Sequence, residues 1–337
     1  MIQLMNIKLK FIGLTFFIYC VPLFVLSKVP YFSGVYGTFG SLSPLLIIFL
    51  LIVIYCIYLL ISKSEIKGNE RIITTYTGIR KILIFIFVKK LKGDTGITGE
   101  EKVSLLLYLV KIFFTPLMIG FLLDNTNALF NFATTRDLSF TKDNIFNFYF
   151  KGLFALILFI DTAIFTAGYL VESKKLKNIV KSVEPTVLGW TVALMCYPPF
   201  NNMSGDIFGW HTQDFNSFST MNITLFFGAV SLILFAIYLW ATLALGWKSS
   251  NLTNRGIISS GPYKYVRHPA YISKNLSWWI MGIPFIVITP IPAILSLLVW
   301  SFIYYLRAMT EERHLMSDPD YAEYMKKTPY MFIPKVF

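Results

Sequence analysis

Residues 222–246, NITLFFGAVSLILFAIYLWATLALG, run for 25 positions without one Asp, Glu, Lys or Arg. A helix needs about 20 apolar residues to cross the hydrocarbon core of a bilayer, so this stretch reads as a membrane span. Its neighbours then fall into place: comparable runs stand near 11–27, 45–62, 103–123, 152–171, 186–200, 270–289 and 291–308. With 55% hydrophobic and only 14% charged residues over 337 positions, the chain has the composition of a polytopic membrane protein rather than of a water-soluble domain. The expected fold class is all-α, a polytopic transmembrane helical bundle of about eight spans, or seven if the short 186–200 run does not cross.

Charge tests that count, because short cytoplasmic loops carry the excess of Lys and Arg. With the N-terminus inside and the spans alternating, the inside segments hold 25 of the 30 basic residues. Lys28, Arg136, Lys142 and Lys151 fall outside, and Lys111 falls within a span. Both termini are therefore expected on the cytoplasmic face. The net charge of +12 reads as an orientation signal and as affinity for anionic membrane lipids, not as a nucleic-acid footprint. Behind Lys8 and Lys10, the first run continues without a small-residue cleavage site and reads as a retained anchor. Cys20, Cys56 and Cys196 lie in expected spans without metal-ligand spacing, which points to neither disulfides nor a bound metal.

The chain divides into an N-terminal transmembrane region, residues 1–221 with about five spans, and a C-terminal region, residues 222–337, that holds the polar motifs. Within the first, RKILIFIFVKKLK at 80–92 is too short to span; it reads as a surface-lying amphipathic segment or a basic loop. Lys111 and Asp161 are charges at membrane depth on neighbouring antiparallel spans, where an unpaired charge costs at least about 2.5 kcal/mol. They read as an ion pair or as the lining of a polar cavity.

Two polar clusters flank the last two runs. In GPYKYVRHPAY (261–271), Pro269 disfavours helix at His268 and suits the first helical turn, so a helix should start there. Its free N–H groups, with Arg267 and His268, make an arrangement apt for a carboxylate or phosphate. Tyr263, Tyr265 and Tyr271 add π-faces for a cation or a purine; an interfacial anchor would use the same residues. If the last run continues as helix, Arg307, Glu311 and His314 stand at i, i+4 and i+7 on one face, and Glu312 points away from Arg307. Glu311 could accept from a ribose diol or an amino group, and Arg307 could hold a carboxylate in bidentate fashion.

At these residues the chain resembles the integral membrane methyltransferases related to isoprenylcysteine carboxyl methyltransferase and the phospholipid methyltransferases. The resemblance covers about the last hundred residues. It rests on Leu245-Gly246, the 261–271 motif, the hairpin of two spans, Arg307 followed by Glu311 and Glu312, and DYAEYMKKTPYMFIP at 320–334. It implies a carboxyl O-methyltransferase-like enzyme with S-adenosylmethionine as cofactor in a cytoplasm-facing pocket at the C-terminal hairpin. It further implies cofactor contacts from Tyr265, Arg267, His268, Tyr271, Glu311 and Glu312, and catalytic roles for Arg307 and Glu311. Where such proteins commonly carry Gly two residues after the motif's last Tyr, this chain has Ser273, followed by Lys274.

The acceptor expected is a lipidated or otherwise apolar molecule that arrives through the membrane. A carboxylate acceptor needs no general base; an amine acceptor would, with His268 or His314 as candidates. Two other classes stand beside this reading: an NADPH-dependent membrane reductase of the sterol-reductase type, and a transporter built on Lys111 and Asp161.

Overall fold

The computed structural model describes residues 2–29, 44–61, 70–88, 91, 93–134, 139–209, 214 and 216–336. The chain divides into two compact units, residues 1–120 and 121–337. In the first, α1 (Ile2–Leu26) packs on α2 (Pro44–Ile61) and on α3 (Glu70–Leu83), which continues as a π turn over Ile84–Val88. The first part of α4 (Gly99–Thr134) completes it. The Tyr108 hydroxyl donates to the Ile18 carbonyl at 2.5 Å, Thr74 meets Ser104 at 3.0 Å, and Lys81 pairs with Glu101 at 2.7 Å. Of the expected surface-lying segment 80–92, the described part is helix and π turn with Phe87 and Val88 exposed; Lys89, Lys90 and Lys92 lie outside the described residues.

The second unit holds the rest of α4, then α5 (Lys151–Leu170), α6 (Val187–Leu194), α7 (Phe200–Phe208), α8 (Met221–Leu245), α9 (Pro269–Met281), α10 (Ile283–Ile288), α11 (Pro290–Leu315) and α12 (Pro319–Lys327). Its two-residue strands β1 (Ser182–Val183) and β2 (Thr253–Asn254) pair antiparallel, Ser182 opposite Asn254. Thr220 starts α8 by accepting the Ile223 N–H, and Gly246, at φ 50°, ends it. Helix α8 packs against both α5 and α9. Apolar side chains gain little by leaving lipid, so close approach and hydroxyl contacts must hold such helices together. The buried Ser231 and Ser277 hydroxyls meet at 2.5 Å between α8 and α9.

The C-terminal hairpin closes on a core of Trp278, Leu297, Trp300, Ile303 and Tyr304. Gly282 sits where the hairpin bends: a Cβ there would lie 2.9 Å from Leu297 Cδ1 and 2.9 Å from the Trp278 carbonyl. Only the missing side chain allows that packing.

Among the described residues the fold is all-α apart from the β1–β2 pair. Among the described residues five helices are long and apolar enough to cross a membrane: Leu9–Leu26, Gly99–Thr134, Lys142–Leu170, Met221–Lys248 and Pro290–Leu315. The other three expected spans take different forms. The 45–62 run is the 18-residue α2. The 186–200 run stops after the eight residues of α6, in a turn that leads to Pro198 and Pro199. The 270–289 run is broken into α9 and α10 at Gly282. Outward apolar side chains such as Phe226, Ile233 and Phe302 are 58–63% exposed, as lipid-facing positions should be. The protein is an integral membrane protein.

Candidate functional site

Helix α9 begins at Pro269, and His268 before it keeps a non-helical backbone (φ −125°, ψ 60°). This turn places Arg267 and His268 together on Glu312 of α11. Arg267 grips that carboxylate with two nitrogens, Nε to Oε1 at 2.6 Å and Nη2 to Oε2 at 3.2 Å, and His268 Nε2 lies 3.0 Å from Oε1. Arg267 Nη1 donates to the Thr328 and Pro329 carbonyls at 3.1 and 2.5 Å. The backbone N–H groups of Arg267 and His268 donate to the Tyr330 and Met331 carbonyls. Burial works against the Arg267 charge, and Glu312 outweighs it, so the guanidinium stays above its ordinary pKa. The arrangement is a clamp that ties the α9 start, α11 and the chain after α12 into one piece.

Five residues earlier on α11 than Glu312, the chemistry changes. Arg307 is buried, 8% exposed, yet no carboxylate among the described residues lies within ion-pair distance of it. Three Tyr rings surround its guanidinium carbon instead: Tyr271 at 5.0 Å, Tyr197 at 5.5 Å and Tyr304 at 5.8 Å. Its Nη2 donates to Asn251 Oδ1 at 2.5 Å. Beside it the Tyr271 hydroxyl donates to Glu311 Oε2 at 2.6 Å, and the Tyr271 ring stacks on His268 at 5.2 Å. Tyr271 therefore joins the clamp to the Arg307 cage.

The segments after α5 and α8 fold over this end of the hairpin through β1 and β2. Lys181 pairs with Asp318 at 2.8 Å, and Asn254 Nδ2 donates to the same oxygen at 2.9 Å. Burial would raise the Asp318 carboxyl, but these partners hold it below its ordinary value. The Asp318 hydrogen bond raises Lys181. His314 Nε2 meets Ser182 Oγ at 2.8 Å, and Arg313 reaches the buried Glu184 at 2.9 Å. The C-terminal end of α11 is thus bound to segments far away in sequence.

Of the residues singled out in sequence, Arg267, His268, Tyr271, Arg307, Glu311 and Glu312 come together. Arg307 and Glu311 face Tyr271, and Glu312 turns away from Arg307 to the RHP turn, as the helical spacing dictates. His314 joins the β1 segment, and Tyr265 is 61% exposed. Burial pushes the Tyr263 hydroxyl well above its ordinary pKa. Ser273 is buried, with its Oγ donating to the Ala270 carbonyl of its own helix at 3.2 Å. On α5, Asp161 accepts from Tyr238 at 3.0 Å and Thr242 at 2.6 Å, both on α8; Lys111 lies on α4 in the first unit. Sequence reasoning missed Tyr169, Tyr197, Asn251 and Tyr304. Tyr304 stands three residues before Arg307, a helical spacing that could have flagged it; loop-borne Asn251 offers no such periodicity.

The fold and this site define an integral membrane helical protein with a polar, cation-bearing centre at one end of its C-terminal hairpin. The sequence model of the isoprenylcysteine carboxyl methyltransferase (ICMT) family matches residues 229–317, and the resemblance read from the motifs holds over that stretch. The chain is also similar to the cobalt-zinc-cadmium resistance protein CzcN of Cupriavidus metallidurans, with 30% identity over 95 residues, 28% of this chain and 41% of that protein. The chain thus spans 41% of the length of the curated relative it matches. The family-matched stretch contains Asn251, the RHP turn, Tyr271, Arg307, Glu311 and Glu312; Tyr169, Tyr197 and the chain from Asp318 onward lie outside it.

Proposed function

We propose that this protein is an integral membrane methyltransferase that uses S-adenosylmethionine and methylates a lipidated or otherwise apolar acceptor, with a carboxylate of the isoprenylcysteine type as the acceptor chemistry that fits best. The observation that carries this reading is Arg307: a buried guanidinium with aromatic walls, no carboxylate within ion-pair distance among the described residues, and Glu311 one turn further along its own helix. A buried charge without a counter-ion is costly, and an anionic ligand would relieve it.

The residues present fit the cofactor. Glu311 accepts hydrogen bonds from its hydroxyl or amino groups, and Tyr271 presents a π-face to its cation or purine, while the Arg307 fork suits the carboxylate of the acceptor. When bound, S-adenosylmethionine supplies an electrophilic methyl on a positively charged sulfur. The protein's task is then alignment of the acceptor oxygen with that methyl, the kind of contribution that positioning alone can make. Arg307 orients the anionic group, and the Tyr rings around it keep water out. A carboxylate acceptor attacks in its ionised form, so no side chain has to remove a proton; His268 and His314 are already engaged with Glu312 and Ser182. The clamp of Arg267, His268 and Glu312 holds the wall against which the cofactor would lie.

On this reading residues 222–337 carry the catalytic machinery, membrane lipids surround it, and the site opens toward the cytoplasm, where a water-soluble cofactor is available and where the Lys and Arg excess is expected. The test is calorimetric titration of the purified protein in nanodiscs with S-adenosylmethionine and, separately, NADPH. Saturable binding of the first, lost in Glu311→Gln, supports the proposal. Binding of NADPH alone would move the assignment to a reductase, and binding of neither would end it.

A further inference from the structure

The cage around Arg307 contains one contact that fixes its rotation. The three Tyr rings attract the guanidinium through their π-faces but do not orient it about its own axis. Asn251 does, through the 2.5 Å hydrogen bond from Nη2 to Oδ1. Only the amide oxygen can accept from a guanidinium, and the Nδ2 group lies 3.1 Å from the Tyr197 hydroxyl, which is itself 3.4 Å from Oδ1. The Asn251 backbone N–H donates to the Tyr169 hydroxyl at 2.7 Å. Asn251 is 6% exposed. Its loop is also pressed onto α5: a Cβ on Gly168 would lie 2.2 Å from the Ser249 carbonyl. Asn178, in the segment after α5, donates to the Trp247 carbonyl at 3.2 Å.

We infer that Asn251, held by Tyr169 and Tyr197, is the positioning residue for Arg307, and that residues 151–200, outside the family-matched 229–317, complete the site. The choice of an amide has a consequence. A carboxylate at position 251 would form an ion pair with Arg307 and cancel its charge; an amide fixes the same nitrogen and leaves that charge for an anionic ligand. Nη2 belongs to both forks of the guanidinium, side-on with Nε and end-on with Nη1, and carries two N–H groups, so the Asn251 contact takes one of them and leaves the other fork for the ligand.

This inference rests on the methyltransferase reading for its kinetic arm and on geometry alone for its chemical arm. The variants are Asn251→Asp, Asn251→Ala and Tyr169→Phe of the full chain in nanodiscs. The kinetic arm measures initial rates with S-adenosylmethionine and N-acetyl-S-farnesylcysteine, a probe acceptor with a free carboxylate. The chemical arm measures phenylglyoxal modification of Arg307 by peptide mass spectrometry. Asn251→Asp should raise KM for the probe about ten-fold or more with a smaller change in kcat, since a competing anion weakens binding. Tyr169→Phe should lower kcat about three- to ten-fold, the usual scale for losing one hydrogen bond that acts through a neighbour. Arg307 should be modified faster in Asn251→Ala and more slowly in Asn251→Asp.

A merely structural role would lower rates in proportion to the folded fraction, with no split between KM and kcat, and would overturn the inference. So would unchanged modification rates in both Asn251 variants. Where the wild-type chain fails to turn over the probe, the methyltransferase reading fails for that acceptor. The modification rates then decide the positioning claim by themselves: changed in the directions given, it stands; unchanged, it falls.

Discussion

Two arginines of the site, Arg267 before α9 and Arg307 on α11, each with its side chain largely out of solvent, meet opposite fates. Arg267 is held by both Glu312 oxygens and by two backbone carbonyls, so its charge is balanced by the protein itself. Arg307 has Tyr faces and one amide oxygen, so its charge is left for something else. The same side chain is therefore paired within the protein in one place and, on the proposed function, meets the ligand in the other. The motif Arg-His-Pro drew the eye in the sequence, yet Arg307 is the better candidate for contact with the reacting groups. Replacing Arg307 is the most severe way to break the contrast. Arg307→Met should cut methyl transfer by about a hundred-fold or more, with thermal stability unchanged or raised, because an unbalanced buried charge is removed. A large drop in unfolding temperature together with the activity would show that Arg307 is a clamp like Arg267.

The reverse experiment targets Glu312. Glu312→Gln leaves Arg267 buried without a counter-charge, which costs about 3 kcal/mol when one partner of such a pair is lost. The loss should appear in thermal unfolding in micelles, with the chain after α12 released to proteolysis because the Arg267 contacts to Thr328 and Pro329 are then strained. The KM for the methyl acceptor should move little. A stable variant with a large loss of cofactor affinity would instead assign Glu312 and Arg267 to direct ligand contact.

Much of this was legible from residue spacing, and the reasons are specific. Run 222–246 became α8 because no charged residue interrupts it, and Pro269 started α9 because proline disfavours helix at the residue before it and suits the first turn. The helical repeat placed Arg307 and Glu311 toward Tyr271 and turned Glu312 aside. The partner of Glu312 was not legible, since 45 positions separate it from Arg267 and no local rule joins them. The apolar run 186–200 looked like a span, yet α6 ends at Leu194, and the turn beyond carries Tyr197 to the Arg307 cage. Asn251 was equally silent: a polar residue in a loop of Ser, Asn and Thr gives no period, and its role exists only once α5 supplies Tyr169. Tertiary contacts, not propensity, made that part of the site.

Between the two arginines stands a third, half-exposed arrangement that allows a finer comparison. Lys181 and Asp318 pair at 2.8 Å, with the Lys side chain 49% exposed and the Asp side chain 7%. Solvent screening on the Lys side limits the pair to about 1 kcal/mol. Asp318 has a depressed pKa, so its contribution is fully present above the ordinary carboxylate value and is lost as pH falls through the lower, folded-state value. Lys181 is raised; its contribution is fully present below the ordinary lysine value and disappears as pH rises through the raised one. Unfolding temperature measured against pH should therefore fall on the acid side, and Asp318→Asn should flatten that limb while lowering stability slightly near neutrality. The variant keeps an oxygen for Asn254, so the expected change is smaller than in Glu312→Gln. An acid limb unaltered by Asp318→Asn would mean that another carboxylate governs it, and Glu312 in its clamp would be the next to replace.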